Sequence, residues 1–218
     1  MKRNQSGFTL IEIAIVLVII GLLLGGVLKG QELINSARVK NLAGDFKNIP
    51  VYIYGYQDKY KALPGDDDKV QIHVSGVLAS TPATKQGNGV IDGLWKPANQ
   101  TDESHLFWQH IRLAGFGPGS TDQTSLDYLP TNAVGGKIGI SNAAQTPIIN
   151  LKGTYIVCSN GIPGKFAKQL DTTLDNGDTT NGSVMVTTEG VTVATAAIPA
   201  SGPGGINDDT TYLVCMGY

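Results

Sequence analysis

The fold is decided by the stretch FTLIEIAIVLVIIGLLLGGVL at residues 8–28. Only Thr9 and Glu12 interrupt it, and the 16 residues from Ile13 to Leu28 include no charged or strongly polar side chain. An α-helix rises about 1.5 Å per residue, so this stretch would extend about 30 Å, the thickness of a bilayer's hydrocarbon core. The stretch therefore predicts a membrane-spanning helix near the start of the chain.

A secretory signal and a simple membrane anchor are the ordinary explanations of such a stretch. The apolar run is long for a secretory signal, and the segment GVLKG at residues 26–30 is a poor cleavage site. Neither explanation accounts for Glu12, because a charge at the centre of a span costs about 2.5–3.5 kcal/mol on insertion scales and normally marks a function. Lys2 and Arg3 precede the stretch, which predicts a cytoplasmic N-terminus and export of the rest of the chain.

Gly7, followed by FTLIE at residues 8–12 and an unbroken apolar run, resembles the class III signal of type IV prepilins and type II secretion pseudopilins. The resemblance implies that residues 1–7 are a leader, cut between Gly7 and Phe8 by an inner-membrane prepilin peptidase that also N-methylates Phe8. It also implies an inner-membrane assembly platform and a helical filament of identical or related pilin subunits. That filament would be a cell-surface pilus or a periplasmic pseudopilus, built from a single-pass inner-membrane precursor with a periplasmic head.

Glu12 has a physical role in such a filament. Cleavage would leave a new α-ammonium on Phe8, and both charges would be costly if they were unpaired in a membrane or a packed helix bundle. A neighbouring subunit's Phe8 amine could neutralise Glu12 and so set the axial register between subunits, as one buried polar group does in a coiled coil. A second, compatible interpretation is that Glu12 pairs with its own N-terminus and caps the helix dipole.

The helical pattern continues beyond Lys29 as an amphipathic helix, because apolar residues recur at spacings of three and four. These residues are Val39, Leu42, Phe46, Ile49, Ile53, Tyr56 and Tyr60. We therefore predict one long helix over residues 8–60, followed by a globular head at residues 61–218. Pro50 removes a helical hydrogen bond, so a kink or break is expected near it, and Gly25-Gly26 could add local flexibility.

The head is rich in glycine, threonine, asparagine and aspartate, which is typical of turns between short strands. The sequence predicts strands at Val70–Leu78, Ile148–Cys158, Ser183–Ile198 and Tyr212–Met216, and helices at Glu103–Gly115 and Pro163–Leu174. The predicted fold is therefore α+β and type IV pilin-like, with the long helix packed against a small antiparallel sheet.

Three short motifs occur in order in the head: LPGD at residues 63–66, GNG at residues 87–89, and ESHLFWQH at residues 103–110. Their order resembles a recurrent class of bacterial pilin-like proteins. Phe107, Trp108 and Ile111 are expected to face the core.

Cys158 and Cys215 are the only cysteines in the chain. In a cytosolic protein they would be inert core thiols, whereas in an exported head one disulfide is expected. That bond would close a loop of roughly 56 residues, for which chain entropy suggests a stabilisation on the order of 4 kcal/mol.

Two groups of aspartates supply hard oxygen donors of the kind that calcium prefers. They are Asp66, Asp67 and Asp68, and Asp171, Asp175 and Asp178. Neither group has EF-hand spacing, and aspartates are common in turns, so local amide bonding is the alternative explanation. Calcium is the only cofactor that the sequence suggests.

An enzymatic function has little support in the sequence. His73, His105 and His110 form no His-Glu-x-x-His motif, and no nucleophile elbow, P-loop or dinucleotide fingerprint is present. A net charge of −2 offers no general basic field, so no nucleic-acid partner is indicated. The rival enzyme class is a membrane-anchored periplasmic hydrolase. Among non-enzymes, a pilus subunit, a secretion pseudopilin and a minor pilin with a binding role all remain open.

Overall fold

The structure is a computed structural model that describes residues 9–191 and 194–218. Its helices are α1 (Leu10–Tyr60), α2 (Val70–His73), α3 (Glu103–Leu113) and α4 (Gly164–Leu174), with a 3-10 turn at Ala143–Gln145. Its strands are β1 (Ile138–Asn142), β2 (Tyr155–Pro163), β3 (Val184–Thr188) and β4 (Thr211–Gly217). The chain divides into two compact units, of which the first ends at Arg38 and the second is Val39–Tyr218.

In the first unit, every side chain from Thr9 to Lys29 is exposed. An 18-residue window of α1 reaches a mean hydropathy of 2.8, and none of that window is buried. The helix is apolar all round, which is typical of a segment whose surroundings are themselves apolar. By length and composition, α1 is able to cross a membrane.

In the second unit, one face of α1 is buried, as the three-and-four spacing predicts. Its buried residues are Val39, Leu42, Ala43, Phe46, Ile49, Ile53 and Tyr56. They join a core that includes Phe107, Trp108 and Ile111 of α3, so the prediction that these three side chains face the core is confirmed. Side chains of β1, β2, β3 and β4 complete the same core. The architecture is thus a long N-terminal helix with a small antiparallel sheet, as the sequence predicts.

The break expected at Pro50 is absent, because α1 continues through this residue to Tyr60. Proline has no backbone N–H, so the carbonyl of Phe46, four residues earlier, loses its helical partner. The hydroxyl of Tyr218 donates to that carbonyl at 2.8 Å. Tyr218 therefore replaces the missing hydrogen bond, and α1 does not break at Pro50. A kink at this residue stays a prediction.

The sheet is antiparallel throughout, with strand order β1-β2-β4-β3. Cys158 on β2 lies directly opposite Cys215 on β4, and a disulfide joins them. This bond links the two central strands within a second buried cluster that also contains Ile156 and Leu213. The disulfide therefore reinforces the strand pairing at the middle of the sheet.

Three strand predictions differ from the structure, and one strand was missed. The strand predicted at Ile148–Cys158 is observed as β2 at Tyr155–Pro163, and of the strand predicted at Ser183–Ile198 only Val184–Thr188 forms β3. Residues Val70–His73 form the single helical turn α2 rather than the start of a strand, and amides of this turn bond back to Lys69. Strand β1 was not predicted at all. It is only five residues long, and it contains Gly139, where a Cβ atom would collide with the backbone carbonyl of Trp95. Close backbone packing selected glycine at that position, which weakens the local strand signal.

Candidate functional site

Thr9 and Glu12 form a reciprocal capping box at the start of α1. The Glu12 carboxylate oxygen Oε2 accepts from the Thr9 amide at 2.8 Å and from the Thr9 hydroxyl at 2.7 Å. In return, the Glu12 amide donates to the Thr9 hydroxyl oxygen at 3.3 Å. These bonds satisfy N–H groups that the first helical turn otherwise leaves without partners. Glu12 therefore caps the start of its own helix. Its pairing with an amine of Phe8 stays a prediction.

No capping role for Thr9 was predicted from the sequence, although the sequence contains the pattern that indicates one. A threonine followed three residues later by a glutamate is the capping-box pattern, and it stands immediately before an apolar run. The capping box holds the Glu12 side chain against the first turn of α1. The predicted cleavage and methylation residues, Gly7 and Phe8, lie outside the described residues.

Asp66 is buried and is engaged by the GNG motif. Its carboxylate accepts from the amides of Gly87 at 2.6 Å, Asn88 at 3.2 Å and Gly89 at 2.7 Å. Burial raises the pKa of Asp66, although the three amide bonds oppose this effect. Asp66 thus folds the GNG loop around its own carboxylate.

Asp67 is buried next to α1 and α2. Its oxygen Oδ2 accepts from the Tyr56 hydroxyl at 2.7 Å and lies 2.7 Å from His73 Nδ1, while Oδ1 accepts from the Lys69 amide. Burial tends to raise the pKa of Asp67, but these bonds outweigh it and the pKa is lowered. Asp68, the third member of this group, is exposed. The structure thus gives these three neighbouring aspartates different surroundings.

The second group of aspartates lies at the end of α4 and in the loop after it. Asp175 Oδ2 accepts from the Ser183 amide at 2.6 Å, which closes the loop. Asp171 is fully buried, and neither of its carboxylate oxygens has a hydrogen-bond partner among the described residues. Burial, together with the charges of Asp175 and Asp178, raises the pKa of Asp171 to about 6.

Within residues 9–191 and 194–218, no three His, Cys, Asp or Glu side chains are grouped so that they could hold a metal ion together. A calcium site with fewer carboxylates and more carbonyl or water oxygens is compatible with calcium chemistry. The calcium prediction therefore stays a prediction.

His110 is a structural residue at the centre of the second unit. Its Nδ1 accepts from the Gly65 amide at 2.9 Å, and its Nε2 lies 2.9 Å from the Val77 carbonyl oxygen. This arrangement requires the neutral ring with the proton on Nε2. Burial lowers the pKa of His110 to about 4, so the ring stays neutral at physiological pH. Both ring nitrogens are engaged in holding the LPGD turn against α3.

The sequence matches the family described as the prokaryotic N-terminal methylation motif over residues 2–28. No curated protein matches the chain. The matched residues include Gly7, Phe8 and the capping pair Thr9 and Glu12, and they run to the end of the apolar stretch. The motif implies processing by prepilin peptidase and assembly into pilus-type filaments. The chain carries the class III N-terminal signal of type IV pilins and pseudopilins on an α+β, pilin-like architecture.

Proposed function

We propose that the chain is a structural subunit of a type IV pilus-like filament. Its precursor spans the inner membrane once, with a cytoplasmic N-terminus and a periplasmic head, and prepilin peptidase removes residues 1–7 and methylates Phe8. The observation that carries this proposal is the methylation motif at residues 2–28, which from Leu10 onward lies in a helix with exposed apolar side chains.

The exposed apolar surface supports assembly. Side chains such as Leu17 and Leu23 are 63% and 64% exposed, and the leucines, isoleucines and valines around them are exposed to a similar degree. A contiguous apolar surface of this extent marks a membrane or protein contact in a folded protein. Lipid covers this surface in the precursor, and helices of neighbouring subunits cover it in the filament.

Glu12 sets the register between subunits in this proposal. The capping box lowers the free-energy cost of burying the Glu12 carboxylate, because it gives Oε2 two hydrogen-bond donors. It also fixes the side chain at the first turn, where the positive end of the helix dipole favours a carboxylate. The Phe8 amine of a neighbouring subunit then supplies the full positive charge that a buried carboxylate needs.

The proposal assigns no catalysis to the chain. Each histidine of the second unit has a structural setting: His110 ties the LPGD turn to α3, His73 contacts the Asp67 carboxylate, and His105 stacks on Tyr128 with ring centroids 4.3 Å apart. Such contacts are typical of core histidines. Asp66 and Asp175 likewise hold loops in place by accepting hydrogen bonds from backbone amides.

The test is filament assembly by three single variants in cells that express the assembly machinery. Glu12→Ala should insert into the membrane and be processed, but filament yield should fall roughly tenfold or more, because the Phe8 ammonium is left unpaired. Glu32→Ala is the matched control, since Glu32 is an exposed acid on the same helix and pairs with Lys29. It should assemble normally.

Thr9→Val separates capping from register. It removes the hydroxyl of the capping box but leaves the Glu12 charge, so filaments should still form. Wild-type filament yield from Glu12→Ala would contradict the register role, and equal loss from Glu32→Ala would show a general charge effect instead. Filaments in the shear fraction indicate a surface pilus, whereas retention in the periplasm indicates a pseudopilus of a type II secretion system.

A further inference from the structure

A cavity of about 170 Å³ lies between α1, α3 and the segment that leads into β1. Asp45 and Tyr52 of α1 line it, about two helical turns apart and therefore on one face of the helix. Trp108 and Ile111 of α3 line it as well, together with two prolines of the segment between α3 and β1. Asp45 is the only charged side chain among the described residues that form the wall. The cavity is thus mostly apolar and contains a single carboxylate.

The Asp45 carboxylate is partly buried and has no counter-ion. No ion pair within the described part of the chain includes it. Burial raises the pKa of Asp45 to about 6, and no hydrogen bond or neighbouring charge opposes that rise. Burial and the charge of Asp45 raise the pKa of Tyr52, because the two groups are close together. A charge withdrawn from water without a partner costs free energy, so this carboxylate favours a cation that enters the cavity.

Arg112 of α3 does not serve as this counter-ion. Its Nε donates to the Pro118 carbonyl at 2.9 Å, and its Nη1 donates to the Ser120 carbonyl at 2.7 Å. Its guanidinium also lies 5.7 Å from the centre of the Trp108 ring, which is a cation–π contact. These contacts hold the loop after α3 against the helix, and they leave the charge of Asp45 unpaired.

The side chains that form the wall favour an organic cation. Aromatic rings attract cations, and Tyr52 and Trp108 both line the cavity. An ammonium group has three donors, for which Asp45, Asn48 and Tyr52 offer oxygen acceptors. The apolar remainder of the wall suits an alkyl chain. A hard metal ion fits poorly, because the wall offers one carboxylate where calcium takes about six to eight oxygens.

We propose that this cavity binds an alkylammonium group, with the Asp45 carboxylate as its counter-ion and the rings of Tyr52 and Trp108 as its aromatic neighbours. A cavity of about 150 Å³ is large enough for benzene, so one of about 170 Å³ accommodates a chain of four carbons with its ammonium group. The group belongs either to a lysine side chain of another polypeptide or to a free alkylamine. Both sources present the same chemistry to Asp45.

The test uses the full chain, isotope-labelled and purified in a non-ionic detergent. The probe is n-butylammonium chloride, and n-butanol with an equal concentration of sodium chloride is the neutral control of the same size. NMR follows the indole N–H signal of Trp108, and Trp95, the other of the two tryptophans, is the internal control because it lines a different cavity. Butylammonium should shift the Trp108 signal alone, with a Kd on the order of 1 mM. The alcohol should bind at least about tenfold more weakly.

A peptide distinguishes the two sources of the ammonium group. Acetyl-Gly-Lys-Gly-amide presents one lysine side chain on a polypeptide backbone. Equal or tighter binding of this peptide, compared with butylammonium, would assign the cavity to a lysine of another polypeptide. Weaker binding of the peptide would assign the cavity to a free alkylamine. Both results support the site at Asp45.

Asp45→Asn preserves the shape of the side chain and removes its charge. It should weaken butylammonium binding at least about tenfold, because a partly buried ion pair is lost. Asp58→Asn is the matched control, since Asp58 is an exposed acid on the same helix that pairs with Lys61. The Kd of this control should stay within about twofold of the wild-type value, because exposed charges contribute little.

The inference is overturned if neither butylammonium nor the peptide shifts the Trp108 signal. It is also overturned if n-butanol binds as tightly as butylammonium, or if Asp45→Asn binds butylammonium as tightly as the wild type does. All of these measurements use the isolated protein, so failure of the proposed filament function would leave this inference intact.

Discussion

Along helix α1, the residues before and after Arg38 have different surroundings. From Thr9 to Lys29 every side chain is exposed, and the apolar residues lie on all faces. From Val39 to Tyr56 one face of the helix carries the buried apolar residues, which the chain's own sheet and α3 cover, whereas Val51 and Tyr54 are exposed. The same residue types therefore stabilise the folded core after Arg38, whereas before Arg38 they are left exposed for contact with lipid or another protein. The spacing of apolar residues around the helix, rather than their mean hydropathy, distinguishes the part that packs in the core from the part that is exposed.

The comparison predicts a large difference between two truncations to alanine. Phe46→Ala removes a side chain that is 1% exposed and should lower the free energy of unfolding of the second unit by about 3–5 kcal/mol. Leu17→Ala removes one that is 63% exposed and should change it by less than about 0.5 kcal/mol. Denaturant unfolding of both variants in detergent measures the difference. Equal effects would contradict the division of α1 into two regions.

Loss of the disulfide should change the free energy of unfolding less than Phe46→Ala does, and only in the second unit. Replacing both Cys158 and Cys215 by alanine should lower the free energy of unfolding by about 2–4 kcal/mol, because the cross-link no longer restricts the unfolded chain. Denaturant unfolding of the double variant, compared with the oxidised wild type, measures this. Labelling of both thiols in the unreduced exported protein would show that the bond is absent there.

The substitution Asp171→Asn should give the smallest of these stability changes, and its size should depend on pH. Burial raises the pKa of Asp171 to about 6 in the folded chain, against about 4 in an unfolded one, so the folded chain binds the proton more tightly. The contribution of protonated Asp171 to the free energy of unfolding is fully present below pH ~4, and it is lost as the pH rises through about 6. In EDTA, Asp171→Asn should therefore exceed the wild type in stability at pH 7 by on the order of 1 kcal/mol.

Thermal unfolding at pH 4.5 and pH 7 provides the measurement for Asp171, and the gap between variant and wild type should shrink at the lower pH. Asp122→Asn serves as the control, because Asp122 is exposed and, among the described residues, its carboxylate accepts hydrogen bonds only from Thr124. A stability gap that is the same at both pH values would rule out titration of Asp171 as its cause.

Local patterns account for what the sequence predicted correctly. The three-and-four spacing after Lys29 identified the buried face of α1, and helices α3 and α4 start within one residue of their predicted positions. Strand β4 was also predicted nearly to its ends. Each of these elements is encoded by side-chain periodicity or by turn residues at its boundary.

Contacts between distant parts of the chain account for what the sequence did not predict. Helix α1 passes Pro50 because the Tyr218 hydroxyl, at the far end of the chain, binds the orphaned Phe46 carbonyl. Similarly, Asp92 and Glu103 become neighbours only once the loop has folded against α3. No periodic pattern records such pairings, because they depend on tertiary packing.

The central claim is that the exposed part of α1 is the processed N-terminus of a filament subunit, and the mass of the N-terminal peptide tests it most directly. The protein is purified from cells that contain prepilin peptidase, and Gly7→Leu is prepared alongside as the control. We predict a wild-type chain that begins at N-methylated Phe8, and a Gly7→Leu chain that keeps residues 1–7. A wild-type chain that begins at Met1, or at a residue beyond Phe8, would contradict the account.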